Sequence, residues 1–273
     1  MKEYTHNYND DFFNCISEHQ AYFLGFFMAD GWLASAGGAR ISSIDIDIIS
    51  QLAEITDYAN KITTSRNKSF NRIDLTGTTQ YHLAFAEGSG ITQFLKGQGF
   101  VVKKTGNEFI PLCIDTQNLR HFMRGLSDGD GTLGIYNCGH EGGKEYPILR
   151  WSLVSASLAF VKSISESLYL NGITSALRSP DRGQTTYRLQ LAHADAVRLC
   201  NWIYDDATVM LQRKYNIYRQ ACSLDRQRNT WTNTEDKLVL QGILPLNRSR
   251  HQCYMRLWNK GLRVDAYKYF RTS

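Results

Sequence analysis

A motif that occurs twice, 100 residues apart, constrains the fold of this chain more than any other feature of its sequence. Residues 22–31 read YFLGFFMADG, and residues 122–131 read FMRGLSDGDG. Each copy begins in an apolar stretch with helical spacing and ends in Asp-Gly, so Asp30 and Asp130 hold the same place. A repeat with so long a period predicts two similar halves within one chain.

Small residues recur four positions apart in both copies of the motif. They are Gly25 and Ala29 in the first copy, and Gly125 and Gly129 in the second. Glycine inside a helix costs about 1 kcal/mol relative to alanine, but small residues on one helical face allow a second helix to approach closely. We therefore predict that the two motif helices pack against each other through these four residues.

The acids that end the two motifs are the first candidates for chemistry. Gly31 and Gly131 fit the left-handed residue that often ends a helix, which would leave Asp30 and Asp130 at two neighbouring C-terminal tips. Like charges beside two negative helix ends repel each other, and Mg²⁺ would relieve that repulsion. Two neighbouring metals also suit hydrolysis of a phosphodiester. The predicted ligands are Asp30, Asp130 and the backbone carbonyls of Ala29 and Gly129, although two ordinary helix ends remain the alternative.

The segments that follow the two motif copies have the same predicted order of elements. After the first motif we predict a hairpin at 32–44, a helix at 45–61, a hairpin at 63–76 that turns at 67–71, and short helices at 81–86 and 91–97. After the second we predict strands at 132–136 and 146–153, a helix at 157–171, a hairpin at 173–191, and helices at 194–203 and 208–222. Each half therefore has the outline αββαββα.

The two motifs resemble the signature of the LAGLIDADG homing endonucleases, in their single-chain form with two motifs. The resemblance extends over residues 15–222. It implies an α+β fold in which two pseudo-symmetric αββαββα halves, residues 1–112 and 113–222, form a β-saddle on DNA. It also implies a monomer that makes double-strand breaks at a long site in double-stranded DNA, with Asp30 and Asp130 binding Mg²⁺, or Mn²⁺ in its place. Met28 stands where the second copy has Asp128, a position that is not the essential acid of the family pattern.

Basic residues are needed to steady the phosphates and to position the attacking water. Lys104 in GFVVKKTG and Lys214 in VMLQRKYN occupy similar places near the ends of the two halves. The second sequence resembles the family ending LxRKY, which implies a catalytic role for Lys214 and makes Lys104 its counterpart. Ordinary surface lysines are the alternative.

Polar residues on the predicted strands are candidates for contacts with DNA. Alternate residues of a strand point to one face, and arginine, glutamine, asparagine and serine are suited to base edges. About half of the candidates are expected to touch DNA, since phosphate contacts are as common as base contacts. The candidates are Arg40, Ser65, Arg72, Asp74, Arg150, Arg178, Arg182, Arg188 and Gln190.

The end of the chain is strongly basic. Residues 226–273 hold ten lysines and arginines against three acids, whereas the whole chain has a net charge of +5. After a polar connector at 223–230, residues 231–273 resemble a Myb-like helix-turn-helix, through WTxxED and RSxxQCxxR, with a much shortened middle helix. The predicted DNA contacts are Arg248, Arg250, Arg256 and Lys260. A solvated tail or a helical hairpin packed on the core remains open.

Other functions receive less support from the sequence. The motifs GxSxG, HExxH and GxxxxGK[ST] do not occur. The longest apolar run, Ala21–Ala29, is too short to span a membrane, and six scattered cysteines without CxxC favour an intracellular location. Relatives of the fold also act as intron RNA maturases or as regulators that do not cleave DNA. The presence of both acids favours cleavage, with intron RNA left open as a second partner.

Overall fold

The computed structural model describes residues 11–58, 62–67, 78–139, 145–180, 184–229, 233–245, 248, 250–262 and 269. The chain divides into two compact units, Met1–Cys222 and Ser223–Ser273. The two sequence halves therefore share one unit, and the basic end forms the other.

The first half contains α1 Glu18–Asp30, β1 Gly31–Leu33, β2 Ala39–Ser43, α2 Ile46–Ile55, β3 Thr63–Asn67, β4 Thr78–Phe85 and α3 Gly90–Gly97. The second half contains α4 Leu119–Gly129, β5 Thr132–Gly139, β6 Glu145–Ser155, α5 Leu158–Leu170, β7 Ala176–Arg178, β8 Tyr187–Ala192, α6 Ala194–Tyr204 and α7 Gln212–Asn229. The second unit contains α8 Asn233–Leu240 and α9 Arg250–Asn259. The predicted α+β class is confirmed.

Each half has one antiparallel four-stranded sheet, with the same order of strands. The orders are β1-β2-β4-β3 and β5-β6-β8-β7. In the first sheet, Ala39 and Ile41 are buried against the helices, while Arg40 between them is exposed. This alternation gives each strand a buried face and an outer face, and "outer face" below means the one opposite the helices.

The motif helix α1 is buried on all its sides between the two halves. Every residue from Ala21 to Ala29 is buried, and α1 packs against α4 in the middle of one continuous hydrophobic core. The unbroken apolar run in the sequence is therefore explained by burial within the protein. Among the described residues, no helix combines the length and the hydrophobicity that crossing a membrane requires.

The structure corrects the prediction of a short helix at 81–86. Residues 81–85 belong to β4, which pairs with both β2 and β3. Leu83 and Phe85 point into the core, and the half-buried Ala84 between them alternates with this pair. Apolar residues at every second position, Leu83 and Phe85, are compatible with a strand, but only the pairing with β2 and β3 identifies it.

The prediction that Gly31 and Gly131 adopt the left-handed conformation is also wrong. Gly31 is extended, with φ −91° and ψ 159°, and forms the first residue of β1. Gly131 is not among the described glycines with positive φ. A β-carbon on Gly31 would lie 2.3 Å from the Phe27 ring, and one on Gly131 would lie 2.4 Å from Ser127 O. Both positions therefore require glycine for space.

The connector predicted at 223–230 is helical over most of its length. α7 begins at Gln212 and continues to Asn229. The predicted turn at 67–71 lies outside the described residues, apart from its first residue. The second hairpin of the first half is thus described through the pairing of β3 and β4 alone.

Candidate active site

The two motif helices touch at their small residues. A β-carbon on Gly25 would lie 2.0 Å from Phe122 O, and one on Gly125 would lie 2.1 Å from Tyr22 O. Further along, a β-carbon on Gly129 would lie 2.2 Å from the Ala29 β-carbon. The backbones are therefore in direct contact, and any larger residue would force the helices apart.

This contact brings Asp30 and Asp130 together at one end of the helix pair. Asp30 is the last residue of α1, and Asp130 directly follows α4. Asp30 Oδ2 lies only 3.4 Å from the position that a β-carbon on Gly129 would take. Loss of contact with water raises the pKa of both carboxyls, that of Asp30 to about 6, and the charge of Asp130 adds to the shift of Asp30.

Lys104 holds the carbonyl oxygens at the end of α1. Its Nζ donates to Met28 O at 2.7 Å, to Phe27 O at 3.3 Å and also to Ala29 O. An ammonium group has three N–H donors, so these carbonyls use its full capacity. Burial lowers the pKa of Lys104, and the negative charges of Asp130 and Asp30 oppose that effect.

Lys214 has the same relationship to α4. Its Nζ donates to Ser127 O and Asp128 O at 2.7 Å each and also to Gly131 O, and Gly129 O lies at 3.4 Å. Lys214 is only 4% exposed, and burial lowers its pKa to about 8. Both lysines therefore neutralise the negative end of a motif helix, a role that the sequence analysis did not foresee.

Asp128, which was not predicted to be a site residue, is buried and connects three segments of the chain. Its carboxylate accepts hydrogen bonds from Tyr22 at 2.8 Å, from Tyr204 at 2.7 Å and from the Leu211 backbone N–H at 2.8 Å. Burial raises its pKa, and these hydrogen bonds oppose the shift. Because Leu211 immediately precedes α7, Asp128 fixes the start of the helix that carries Lys214. The signal in the sequence was a second acid within the motif, two residues before Asp130.

Arg124 forms a second buried polar contact between the same segments. It donates to Val209 O at 2.9 Å and to Ile203 O at 2.7 Å, and it pairs with Glu18 at 2.5 Å. The Arg124 side chain is fully buried. Together with Asp128, it attaches the chain between α6 and α7 to the motif helices.

Glu108 is a third acid that influences the Asp130 environment. Its negative charge raises the pKa of Asp130 and opposes the lowering of the Lys104 pKa. Ser155 of the second half donates to Glu108 Oε2 at 3.2 Å, and the Gly106 backbone N–H donates to the same oxygen at 3.0 Å. Glu108 thus connects the Lys104 loop to β6. No motif in the sequence distinguished it.

The donor atoms at the two acids fit a divalent cation. Carboxylate and carbonyl oxygens are hard ligands, and two adjacent carboxylates with raised pKa values repel each other until a cation lies between them. Among the described residues, no cluster of three or more His, Cys, Asp or Glu side chains could hold a metal ion. Further ligands would therefore have to be water, phosphate oxygens or the Ala29 and Gly129 carbonyls, each of which has a second lone pair beside its lysine contact.

The outer face of the second sheet carries most of the predicted DNA contacts that the structure describes. Arg150, Arg178, Arg188 and Gln190 all line one groove of about 780 Å³. The Arg150 guanidinium lies 5.5 Å from the Tyr136 ring centre, which holds it against the sheet. In the first sheet, Arg40 lies 5.7 Å from the Trp32 ring, and Ser65 is exposed. Arg72, Asp74 and Arg182 lie outside the described residues.

In the second unit, three of the four predicted DNA contacts form ion pairs between α8 and α9 or the residues next to α9. Arg248 pairs with Glu235 at 2.7 Å, and its side chain is only 7% exposed. Arg256 and Lys260 both pair with Asp236, at 2.8 and 3.0 Å. These side chains therefore hold the two helices together.

Comparison with known proteins gives fold relatives and no sequence relatives. No protein-family model and no curated protein sequence matches the chain. The structure of meganuclease I-SmaMI bound to uncleaveable DNA matches with a TM-score of 0.53 and 13% identity, over 90% of this chain and 99% of that one. LAGLIDADG meganuclease I-AabMI bound to uncleaved DNA matches with a TM-score of 0.50 and 12% identity, over 78% of this chain and 91% of that one.

At these identities the likeness establishes the fold. The chain has the two-domain LAGLIDADG fold, which is found in DNA endonucleases. The I-SmaMI LAGLIDADG homing endonuclease bound to cleaved DNA also matches, with a TM-score of 0.51 and 11% identity. The resemblance of the second unit to a Myb-like helix-turn-helix stays a prediction.

Proposed function

We propose that this protein is a homing endonuclease that hydrolyses both strands of double-stranded DNA at a long specific site. The observation that carries the proposal is the position of Asp30 and Asp130, side by side at one end of the α1–α4 pair. Two acids are brought together there from opposite halves of the molecule, at a cost in electrostatic repulsion that a purely structural contact would not need.

Asp30, Asp130 and the neighbouring carbonyls would hold Mg²⁺, with Mn²⁺ as a substitute. When bound, the cation would supply Lewis-acid activation of the phosphodiester. The chain's own residues prepare the site: Lys104 and Lys214 keep the helix ends fixed by holding their carbonyl oxygens. Their positive charges also lie near both carboxylates, and the electrostatic field of the site therefore favours phosphate.

DNA would lie along the outer faces of the two sheets. The groove on the second sheet presents three arginines and a glutamine, which are suited to phosphates and base edges. The structures of I-SmaMI and I-AabMI on DNA support a duplex as the partner of this fold. The predicted second partner, intron RNA, is an outcome of the test below.

Cleavage of a plasmid library with randomised inserts tests the proposal. Purified protein with Mg²⁺ should linearise a small set of plasmids, and chelation of the metal should stop the reaction. Asp130→Asn protein serves as the matched negative control. An absence of cleavage for any insert, together with tight binding of structured RNA, would replace the endonuclease proposal by the maturase alternative. Sequence-specific DNA binding without cleavage would identify a regulator.

A further inference from the structure

Three side chains on the outer face of the first sheet form a hydrogen-bonded chain across three strands. Ser42 on β2 contacts His82 Nδ1, and Ser65 on β3 contacts His82 Nε2 at 2.7 Å. His82 lies on β4 between them and is 8% exposed. The neighbours of His82 on β4, Leu83 among them, point into the core. The three polar side chains therefore belong to the face that the proposed function assigns to DNA.

The chemistry of the imidazole ring makes the two serines different. A neutral histidine has one N–H donor and one lone-pair acceptor. One serine must therefore donate its hydroxyl proton to the ring, while the other accepts a hydrogen bond from the ring. The donating serine offers only lone pairs to a ligand, and the accepting serine keeps its O–H free. The ring thus gives two similar hydroxyls opposite hydrogen-bonding characters.

We propose that His82 is a specificity-determining positioning residue, which fixes opposite hydrogen-bond polarities on Ser42 and Ser65 for the reading of two base edges. This inference rests on the proposed function. The serine with a free O–H suits an acceptor such as guanine O6 or thymine O4, and the other suits the amino group of adenine or cytosine. Because a change of tautomer reverses both serines together, the two base positions are coupled.

The surroundings of the ring favour the neutral form on which this argument depends. Burial and the positive charge of Arg40 both lower the pKa of His82. Arg40 lies two residues before Ser42 on β2 and shares the outer face with it. The ring therefore carries one proton at neutral pH, and the two serines cannot both accept from it.

The second sheet has no such chain at the equivalent positions. Ser42 pairs with His82 in the register of β2 and β4, and Val154 pairs with Arg188 at the corresponding place of β6 and β8. Arg188 lines the groove of the second sheet and acts as a separate long side chain. The coupling should therefore be confined to the half of the target site that faces the first sheet.

Specificity profiling on a randomised DNA library tests the inference. Wild type, Ser42→Ala, Ser65→Ala, the double variant and His82→Phe are compared, with Arg188→Ala as the matched control on the other sheet. In the presence of His82, each serine substitution should weaken base preference by about tenfold at the base pair that this serine reads. It should also change the preference at the base pair that the remaining serine reads. In the His82→Phe background, the two serine effects should become additive. Arg188→Ala should change only the opposite half-site.

Nuclear magnetic resonance of the DNA-free protein provides a measurement that does not depend on DNA. The ring nitrogens of His82 should show the neutral form at pH 7, and the balance of the two tautomers should differ between wild type and the Ser42→Ala variant. A protonated ring in wild type, or additive serine effects in a wild type that does discriminate between sites, would overturn the inference alone. A wild type that enriches no sequence would overturn the proposed function, and the inference with it. Ser42→Ala and Ser65→Ala keep the test decisive should His82→Phe fail to fold.

Discussion

Gly25 of α1 lies so close to Phe122 of α4 that a β-carbon at position 25 would come within 2.0 Å of the Phe122 carbonyl oxygen. The contact is with backbone, which cannot rotate away as the end of a long side chain can. The distance between the motif helices is therefore set by glycine, and with it the separation of the two acids at their ends.

The first prediction concerns this helix contact. Gly25→Ala should destabilise the protein by about 3 kcal/mol, at the upper end of the usual cost of overpacking, because the helices must separate. Gly97→Ala is the matched control, since a β-carbon there meets no atom within 4 Å and alanine favours the helix. Chemical denaturation measures both. Equal stability of the two variants would contradict the packing argument.

The second prediction separates two acids of the same motif. Asp130→Asn should abolish cleavage, leave DNA binding largely intact and raise the metal-free melting temperature, because it removes repulsion with Asp30. Asp128→Asn should lower the melting temperature, because an amide replaces one of the two oxygens that accept hydrogen bonds from Tyr22, Tyr204 and Leu211. Each kcal/mol corresponds to roughly 2–4 °C in a chain of this size. A lower melting temperature for Asp130→Asn would refute the repulsion argument.

The third prediction concerns Lys214. Lys214→Met should reduce stability by about 2–4 kcal/mol, since several carbonyl oxygens at the end of α4 lose a buried donor. Lys103→Met, which alters an exposed lysine beside Lys104, is the control and should be neutral. Thermal melting gives the comparison, and cleavage rates at a temperature where all variants are folded give the effect on chemistry. A fully stable but slow Lys214→Met enzyme would assign the lysine to chemistry alone.

The fourth prediction concerns acid sensitivity. Burial, followed by the charge of Arg124, lowers the pKa of His121 to about 4. Below the ordinary pKa of about 6.5, the unfolded chain binds a proton that the folded protein rejects, so stability falls as pH drops from about 6.5 to about 4. His121→Asn should remove about 1–2 kcal/mol of this pH dependence. Denaturation curves at pH 7 and pH 5 measure it, and an unchanged difference between the two would contradict the shift.

The fifth prediction concerns the second unit. If it binds DNA, removal of residues 223–273 should make the binding less dependent on salt. The slope of the logarithm of the binding constant against the logarithm of the salt concentration should become shallower by about 0.9 for each lost phosphate contact. Arg250→Ala should reproduce part of this loss. Arg256→Ala should mainly lower the stability of the α8–α9 pair, because Arg256 is paired with Asp236. Unchanged slopes for the truncated protein would show that the unit is not a DNA-binding element.

The sequence alone determined the features that depend on local order along the chain. The repeated Asp-Gly motif predicted two similar halves, and the small residues at a spacing of four predicted a close helix pair. The helix contact could be predicted because the spacing of residues along a helix decides which of them share a face, and small residues on one face let another backbone come close. Asp30 and Asp130 could be selected because they hold the same place in the repeated motif, and Lys214, with Lys104 as its counterpart, through the resemblance of VMLQRKYN to a family ending.

Only the tertiary structure decided which atoms these residues meet. Lys214 holds the end of α4 across more than 80 residues of chain, and Asp128 is joined to Leu211 over a similar separation. Position 31 requires glycine because a β-carbon there would collide with the Phe27 ring. His82 contacts Ser42 and Ser65 because strand pairing brings β2 and β3 to either side of β4. Such contacts depend on the register and packing of distant segments, which no local pattern of residues specifies.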